Sequence, residues 1–435
     1  MKSSMMLDSL WVLATRFVMR AANFVVFLLL ARGLTQAEFG TYGYVVASIL
    51  MLSVVFDVGL RQSIGLSIGE GGRAAEAVVT QMLLLWLVLA VAGSIAMVAI
   101  ATFGGPSQPL LLLVLGVASL APAMLIRMGQ GVFLGSGRMA CLNRSELIGR
   151  AVLLVGTLAL WSVSGLTIAS ALMLLLASYL SAAGFLLWQL RDLLGRARPD
   201  LALCRTLLRR GLGFAGGIVA MILLGRVGIW IVNAQLDAAD VGAYFAIMRL
   251  AEMVAEVATA VGVVIFSHGV RAVDAEAAAL ATVRTARGVT ALMAVIGCGA
   301  ALFAEPLLSL AVGPAYVAHA DAFRLMLAGA VVSCFSMMLY PGLSSRGDAR
   351  YGFWLFAPGA VLAGLLCWWA APIWGVAGAA FAAAAAQAAV ALGFILTCHK
   401  VFALPIGSIV LPQIEDIRAV GRLLGRRTRL QGARA

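Results

Sequence analysis

Arg16, Arg20 and Asn23 stand at i, i+4 and i+7, a spacing that projects three polar side chains from one face of a helix. The residues around them, from about Leu10 to Leu30, are otherwise apolar and long enough to cross a bilayer. An arginine near the bilayer centre costs about 3 kcal/mol on insertion scales, so the stripe is expected to face a wet cavity or a partner and not lipid. A second constellation, Arg249, Glu252 and Glu256 at i, i+3 and i+7, also shares one helix face. There the arginine can pair with one carboxylate, and a desolvated second one is a candidate for taking a coupling proton or Na⁺, or for balancing charge. Asp57 and Arg61, at i and i+4, have the spacing of an ordinary helical ion pair.

The elements that carry these groups are membrane spans. Of 435 residues, 63% are hydrophobic and 11% charged, and the mean hydropathy is +1.03. Such a chain is an all-α polytopic membrane protein; the roughly 10-residue alternating strands of an outer-membrane barrel look quite different. Breaking apolar runs at charge and Gly/Pro clusters predicts 12 spans, among them Leu10 to Leu30, Thr41 to Leu66, Pro109 to Leu134, Leu147 to Val163, Gly211 to Asn233, Gly242 to Phe266 and Trp374 to Cys398. The even count puts both termini on one side. That side carries most of the Lys and Arg, including Arg191, Arg196, Arg198, Arg205, Arg209 and Arg210, whereas the opposite loops hold essentially Arg32; the positive-inside rule then makes both termini cytoplasmic.

Arg16, Arg20, Arg61, Arg127, Arg226, Arg249 and Arg324 lie in or at the edges of spans, against the acids Asp57, Glu252 and Glu256. The sign favours an anionic cargo. The six cysteines are scattered without metal-ligand spacing, so neither disulfide nor metal is expected. No Gly-Lys-Ser/Thr loop for a nucleotide is present, no cofactor is implied, and the clustered arginines are explained by topology without nucleic acid.

An internal repeat divides the chain. Gly33 to Tyr42, before the second span, matches Gln235 to Tyr244, before the eighth: Leu, Ala, an acid, Gly and Tyr recur at an offset of 202. Gly137 matches Gly347 and Gly165 matches Gly375 at an offset of 210. A parallel repeat of two six-helix lobes follows, around a central cavity. Residues 1–190 form the first lobe, 191–210 a basic cytoplasmic linker, 211–398 the second lobe and 399–435 a basic tail. In the tail, Ile414 to Leu430 reads as an amphipathic helix on the anionic inner leaflet.

Leu34 to Tyr42, the run ending Asp57-Val58-Gly59-Leu60-Arg61-Gln62, and the Gly137-Arg138 turn resemble the Wzx-type polysaccharide-biosynthesis (O-antigen) flippases. These belong to the multidrug/oligosaccharidyl-lipid/polysaccharide exporter (MOP) superfamily, and the resemblance spans Leu10 to about Cys398. It implies a MATE-like architecture in the bacterial inner membrane and a flippase that moves an undecaprenyl-pyrophosphate-linked oligosaccharide to the periplasmic leaflet, by alternating access, for surface or exopolysaccharide assembly. Partners would be that lipid-linked substrate, membrane lipids and other assembly proteins, with a proton or sodium gradient as the energy source. Arginine suits a pyrophosphate, because its planar fork pairs with phosphate oxygens in bidentate fashion. The expected cationic site comprises Arg16, Arg20, Asn23, Arg127, Gln130, Arg226 and Arg249, with Glu252, Glu256 and Asp57 for coupling or charge balance. Alternatives are a drug/cation antiporter of the same superfamily, which would want an acidic cavity, and a membrane glycosyltransferase or acyltransferase, which would want a clustered acid or His motif at one membrane face.

Overall fold

The computed structural model describes residues 19–71, 74–103, 109–163, 165–195, 197–271, 274–347, 350–411 and 413. Among the described residues the regular structure is helical, with no strand. The helices are α1 (residues 19–33), α2 (Gln36–Val55), α3 (Leu60–Gly69), α4 (Ala75–Phe103), α5 (Leu110–Gly135), α6 (Met139–Ser162), α7 (Ile168–Leu190), α8 (Leu201–Gln235), α9 (Ala238–Arg271), α10 (Ala275–Leu302), α11 (Ala304–Ala311), α12 (Ala320–Ser344), α13 (Arg350–Phe402) and α14 (Ile406–Val410). Nine described helical segments are long and apolar enough to cross a membrane. One of them, α13, holds two of the expected spans and bends at Gly375, where φ is 59°. With α1 under the described part of the first span and α9 at the eighth, each of the 12 expected spans holds helix among its described residues. The second is the exception to a simple rod, being built from α2 and α3 with a break between them.

By contact, the chain divides into two units. The first comprises Met1–Ala246 with Ser309–Tyr316, the second Ile247–Leu308 with Val317–Ala435. The basic stretch at 191–210 therefore lies inside the first unit. Its second half is already helix: Asp200 Oδ1 accepts hydrogen bonds from the Ala202 and Leu203 N–H groups, and α8 runs on from that cap.

Within the first unit the two copies of the repeat have a physical meaning. Thr35 caps α2 in a capping box, accepting from the Glu38 N–H while Glu38 Oε2 accepts from the Thr35 N–H at 3.0 Å. At the matching position, Asp237 Oδ1 accepts from the Asp240 N–H at 2.8 Å as α9 begins. The shared glycines then meet. A Cβ on Gly40 would strike the Ala238 carbonyl oxygen and the Gly242 backbone, and one on Gly242 would strike the Gln36 carbonyl oxygen. The motif thus combines a helix start with a backbone-to-backbone crossing of α2 and α9. The second echo is conformational in part: Gly137 and Gly347 both adopt left-handed backbone, at φ 71° and 93°. Arg32 closes the unit by donating to the carbonyls of Ser309, Leu310 and Ala311, the otherwise unmet C-terminal acceptors of α11.

In the second unit, α12 and α13 pack through small residues, Gly329 against Ala384 among them. After α13 the backbone is left-handed at Ala403 (φ 53°), and the one-turn α14 buries Ile409. Arg287, only 2% exposed on α10, donates to the Ser408 carbonyl and to Gln413 Oε1. Charged hydrogen bonds of this kind are worth about 2 kcal/mol each. Arg287→Ala is therefore expected to release residues 403–413, read out as amide exchange there at least tenfold faster while α12 stays protected. The expected tail helix at Ile414 to Leu430 lies outside the described residues.

Candidate functional site

A cavity of about 260 Å³ opens within the first unit, enclosed by α2, α3, α5, α6 and α7. It exists because of how the second span is broken. Residues 56–59 leave the helix, Val58 and Gly59 take left-handed φ values of 49° and 71°, and α3 starts at Leu60. Glycine accepts that backbone without strain, and the valine before it is held there by its surroundings. α3 then lies close along α5: a Cβ on Gly131 would strike the Arg61 carbonyl oxygen. That approach sets Arg61 beside Arg127.

Three arginines line the cavity, Arg61, Arg127 and Arg150, together with Glu146, Gln130, Ser53, Ser178 and Tyr179. Gln130 Nε2 donates to Glu146 Oε1 at 2.7 Å, fixing both side chains on the wall. Behind the wall lies Asp57, 2% exposed, whose Oδ2 is 3.9 Å from Arg127 Nη2; the Arg127 side chain is 20% exposed. Arg61 adds its charge to the field at both groups. Charge on the lining is thus three positive against one negative. Such a site can hold an anion through directed N–H donors in a medium of low dielectric.

The residues expected from sequence fall in several places. Arg127 and Gln130 line this cavity and Asp57 supports it. Asp57 and Arg61 do not lie on one continuous helix, because residues 56–59 interrupt it; the Asp57 carboxylate accepts a hydrogen bond from the Arg61 backbone N–H and stands 3.9 Å from Arg127 on α5. Arg20 is exposed and Asn23 half-buried on α1, while Arg226 is half-buried on α8; none of the three lines the cavity. Arg16 lies outside the described residues. Arg249, Glu252 and Glu256 belong to the second unit, where Arg249 Nη1 meets Glu252 Oε2 at 2.7 Å. Arg324, at the edge of its span, pairs with Asp321 at 2.6 Å and Glu305 at 3.6 Å.

Glu146, Arg150, Tyr179 and the hydroxyls of Ser53 and Ser178 are polar lining residues that sequence reasoning passed over. Arg150 lies inside the expected fifth span, Leu147 to Val163, yet is not among the span arginines named above. Its i, i+4 relation to Glu146 at a span's start was the available signal.

The model of the family described as "Polysaccharide biosynthesis protein" matches residues 7–266. The chain belongs to that family. Among solved structures, the chain is similar to the lipid II flippase MurJ in an inward closed conformation, at 14% identity over 91% of this chain and 88% of the other, TM-score 0.73. It is also similar to an inward-facing multidrug resistance MATE family transporter of the MOP superfamily, at 16% identity over 88% and 94%, TM-score 0.69. A third is a MOP superfamily transporter from Pyrococcus furiosus described as having a binding pocket of reversed polarity, at 15% identity over 90% and 93%, TM-score 0.53. At these identities the likeness establishes the fold, that of polytopic helical MOP superfamily proteins. No curated protein sequence matches the chain.

Proposed function

We propose that the chain is a flippase which moves a lipid-linked oligosaccharide, carried on undecaprenyl pyrophosphate, from the cytoplasmic to the periplasmic leaflet of a bacterial inner membrane by alternating access. The observation that carries this reading is the sign of the first unit's cavity, where Arg61, Arg127 and Arg150 face one carboxylate, Glu146. A cavity built for cationic drugs would carry the opposite balance. Its volume, about 260 Å³, suits a compact anionic group and not a whole glycan. The pyrophosphate is therefore the part of the substrate assigned to it, and membrane lipids would solvate the polyprenyl chain.

In this reading, residues 1–190 and 211–398 are the two repeats that alternate, both termini are cytoplasmic, and the basic stretch 191–210 and the tail 399–435 face the anionic leaflet. Arg16, Arg20, Asn23, Arg226 and Arg249 add polar and positive groups along the substrate's route. The protein does no covalent chemistry, and an ion gradient supplies the work. Glu252 and Glu256 are assigned to coupling, so a Glu252→Gln/Glu256→Gln double variant is expected to translocate at one rate with and without an imposed proton or sodium gradient. Retained gradient dependence would remove that role.

The reading is tested in cells that make the lipid-linked glycan but lack this chain. The glycan should stay inaccessible to a glycosidase added outside the inner membrane of spheroplasts, and the wild-type chain should restore access. Equal access with and without the chain would refute the proposal.

A further inference from the structure

Arg127 and Asp57 form a poor ion pair for a buried one. Their closest contact is 3.9 Å, and Arg127 Nε and Asp57 Oδ1 are both buried with no hydrogen-bond partner among the described residues. A buried guanidinium and carboxylate normally satisfy each other through parallel short bonds, because an unmade bond to a charged group is costly. Arg127 looks two ways: it lines the cavity with Arg61 and Arg150, and it also reaches back to Asp57, which does not line the cavity.

We propose that Asp57 is a built-in competitor for the transported anion: it holds Arg127 when the cavity is free and yields it when a phosphate-type anion enters. The loose pair leaves Arg127 with donors to offer, and Arg61 remains near Asp57 to offset its charge once Arg127 turns away. An anion gains Arg127 only by breaking the internal pair, so binding is weaker than three arginines alone would make it. Weak binding is useful to a carrier, which must release its cargo on the far side. The competition can be broken by exchange of one oxygen for nitrogen in Asp57→Asn, which keeps shape and removes charge. This inference rests on the transport reading only for the choice of anion.

The test is binding of inorganic pyrophosphate to the purified full-length protein by titration calorimetry. Asp57→Asn is expected to bind at least fivefold tighter than wild type, Arg127→Gln at least tenfold weaker, and the double variant like Arg127→Gln alone. Glu146→Gln removes a carboxylate from the same wall without touching the pair, and should tighten binding less than Asp57→Asn. If Asp57→Asn does not fold, Asp57→Ser takes its place with the same expected sign. Unchanged or weaker binding by a folded Asp57 variant would overturn the proposal, as would an equal effect of that variant without Arg127, or no pyrophosphate binding by wild type. Tightened binding in a protein that fails to translocate glycolipid would sink the transport reading and leave this one standing.

Discussion

Arg127→Gln is expected to reduce translocation of the lipid-linked oligosaccharide at least thirtyfold at unchanged protein level. Glutamine retains a donor but loses the charge and the fork. A hydrogen bond to a charged group is worth about 1.5–3 kcal/mol, and a factor of ten corresponds to about 1.4 kcal/mol. The substitution also leaves Asp57, 2% exposed, facing a neutral group, so its negative charge falls on Arg61 and counts against an incoming anion. Both effects act in the same direction. Arg127→Lys restores charge without the bidentate geometry and is expected to recover only part of the loss. Measured as the initial rate of glycolipid movement per folded transporter, an Arg127→Gln rate within threefold of wild type would show that this arginine does not touch the cargo.

The second large effect is on folding, at a residue with no part in binding. Gly40→Val puts a branched side chain where α2 meets the Ala238 carbonyl oxygen and the Gly242 backbone. The obstructing atoms are main chain, held by helical hydrogen bonds, so no side chain can swing aside. Overpacking a close contact costs about 1–3 kcal/mol, and this one stands at the upper end or beyond. The expected result is loss of the monodisperse peak in detergent, or a marked fall in melting temperature, with Gly242→Val behaving alike. Gly213→Ala, an exposed position on α8 where an added Cβ meets nothing within 4 Å, should be silent.

How far this was readable follows from which forces are local. Spans are legible because the bilayer forces about 20 apolar residues into one helix. The repeat was visible as letters, and its physical content, a cap at Thr35 or Asp237 and a crossing glycine at Gly40 or Gly242, is a local signal written twice. The site was less legible. Asp57 and Arg127 are 70 positions apart and meet only because Val58 and Gly59 turn left-handed, which Asp-Val-Gly within an apolar run does not announce. Arg150 sits where a span's beginning and a loop's end are indistinguishable by hydropathy. The opening stripe of Arg20 and Asn23 shares a helix face, as its spacing required, yet that face does not line the first unit's cavity.

In the proposed function this protein carries an anionic glycolipid across a bilayer, and Arg61, Arg127 and Arg150 receive its pyrophosphate. Purified protein in sealed vesicles, loaded on one side with a fluorescent undecaprenyl-pyrophosphate oligosaccharide, measures it directly by the rate at which the label becomes accessible to quencher on the other side. Wild type is expected to transport the label, with inhibition by inorganic pyrophosphate and at least a thirtyfold lower rate in Arg127→Gln. A rate no greater than in protein-free vesicles, or transport of a neutral analogue lacking the pyrophosphate at an equal rate, would contradict it.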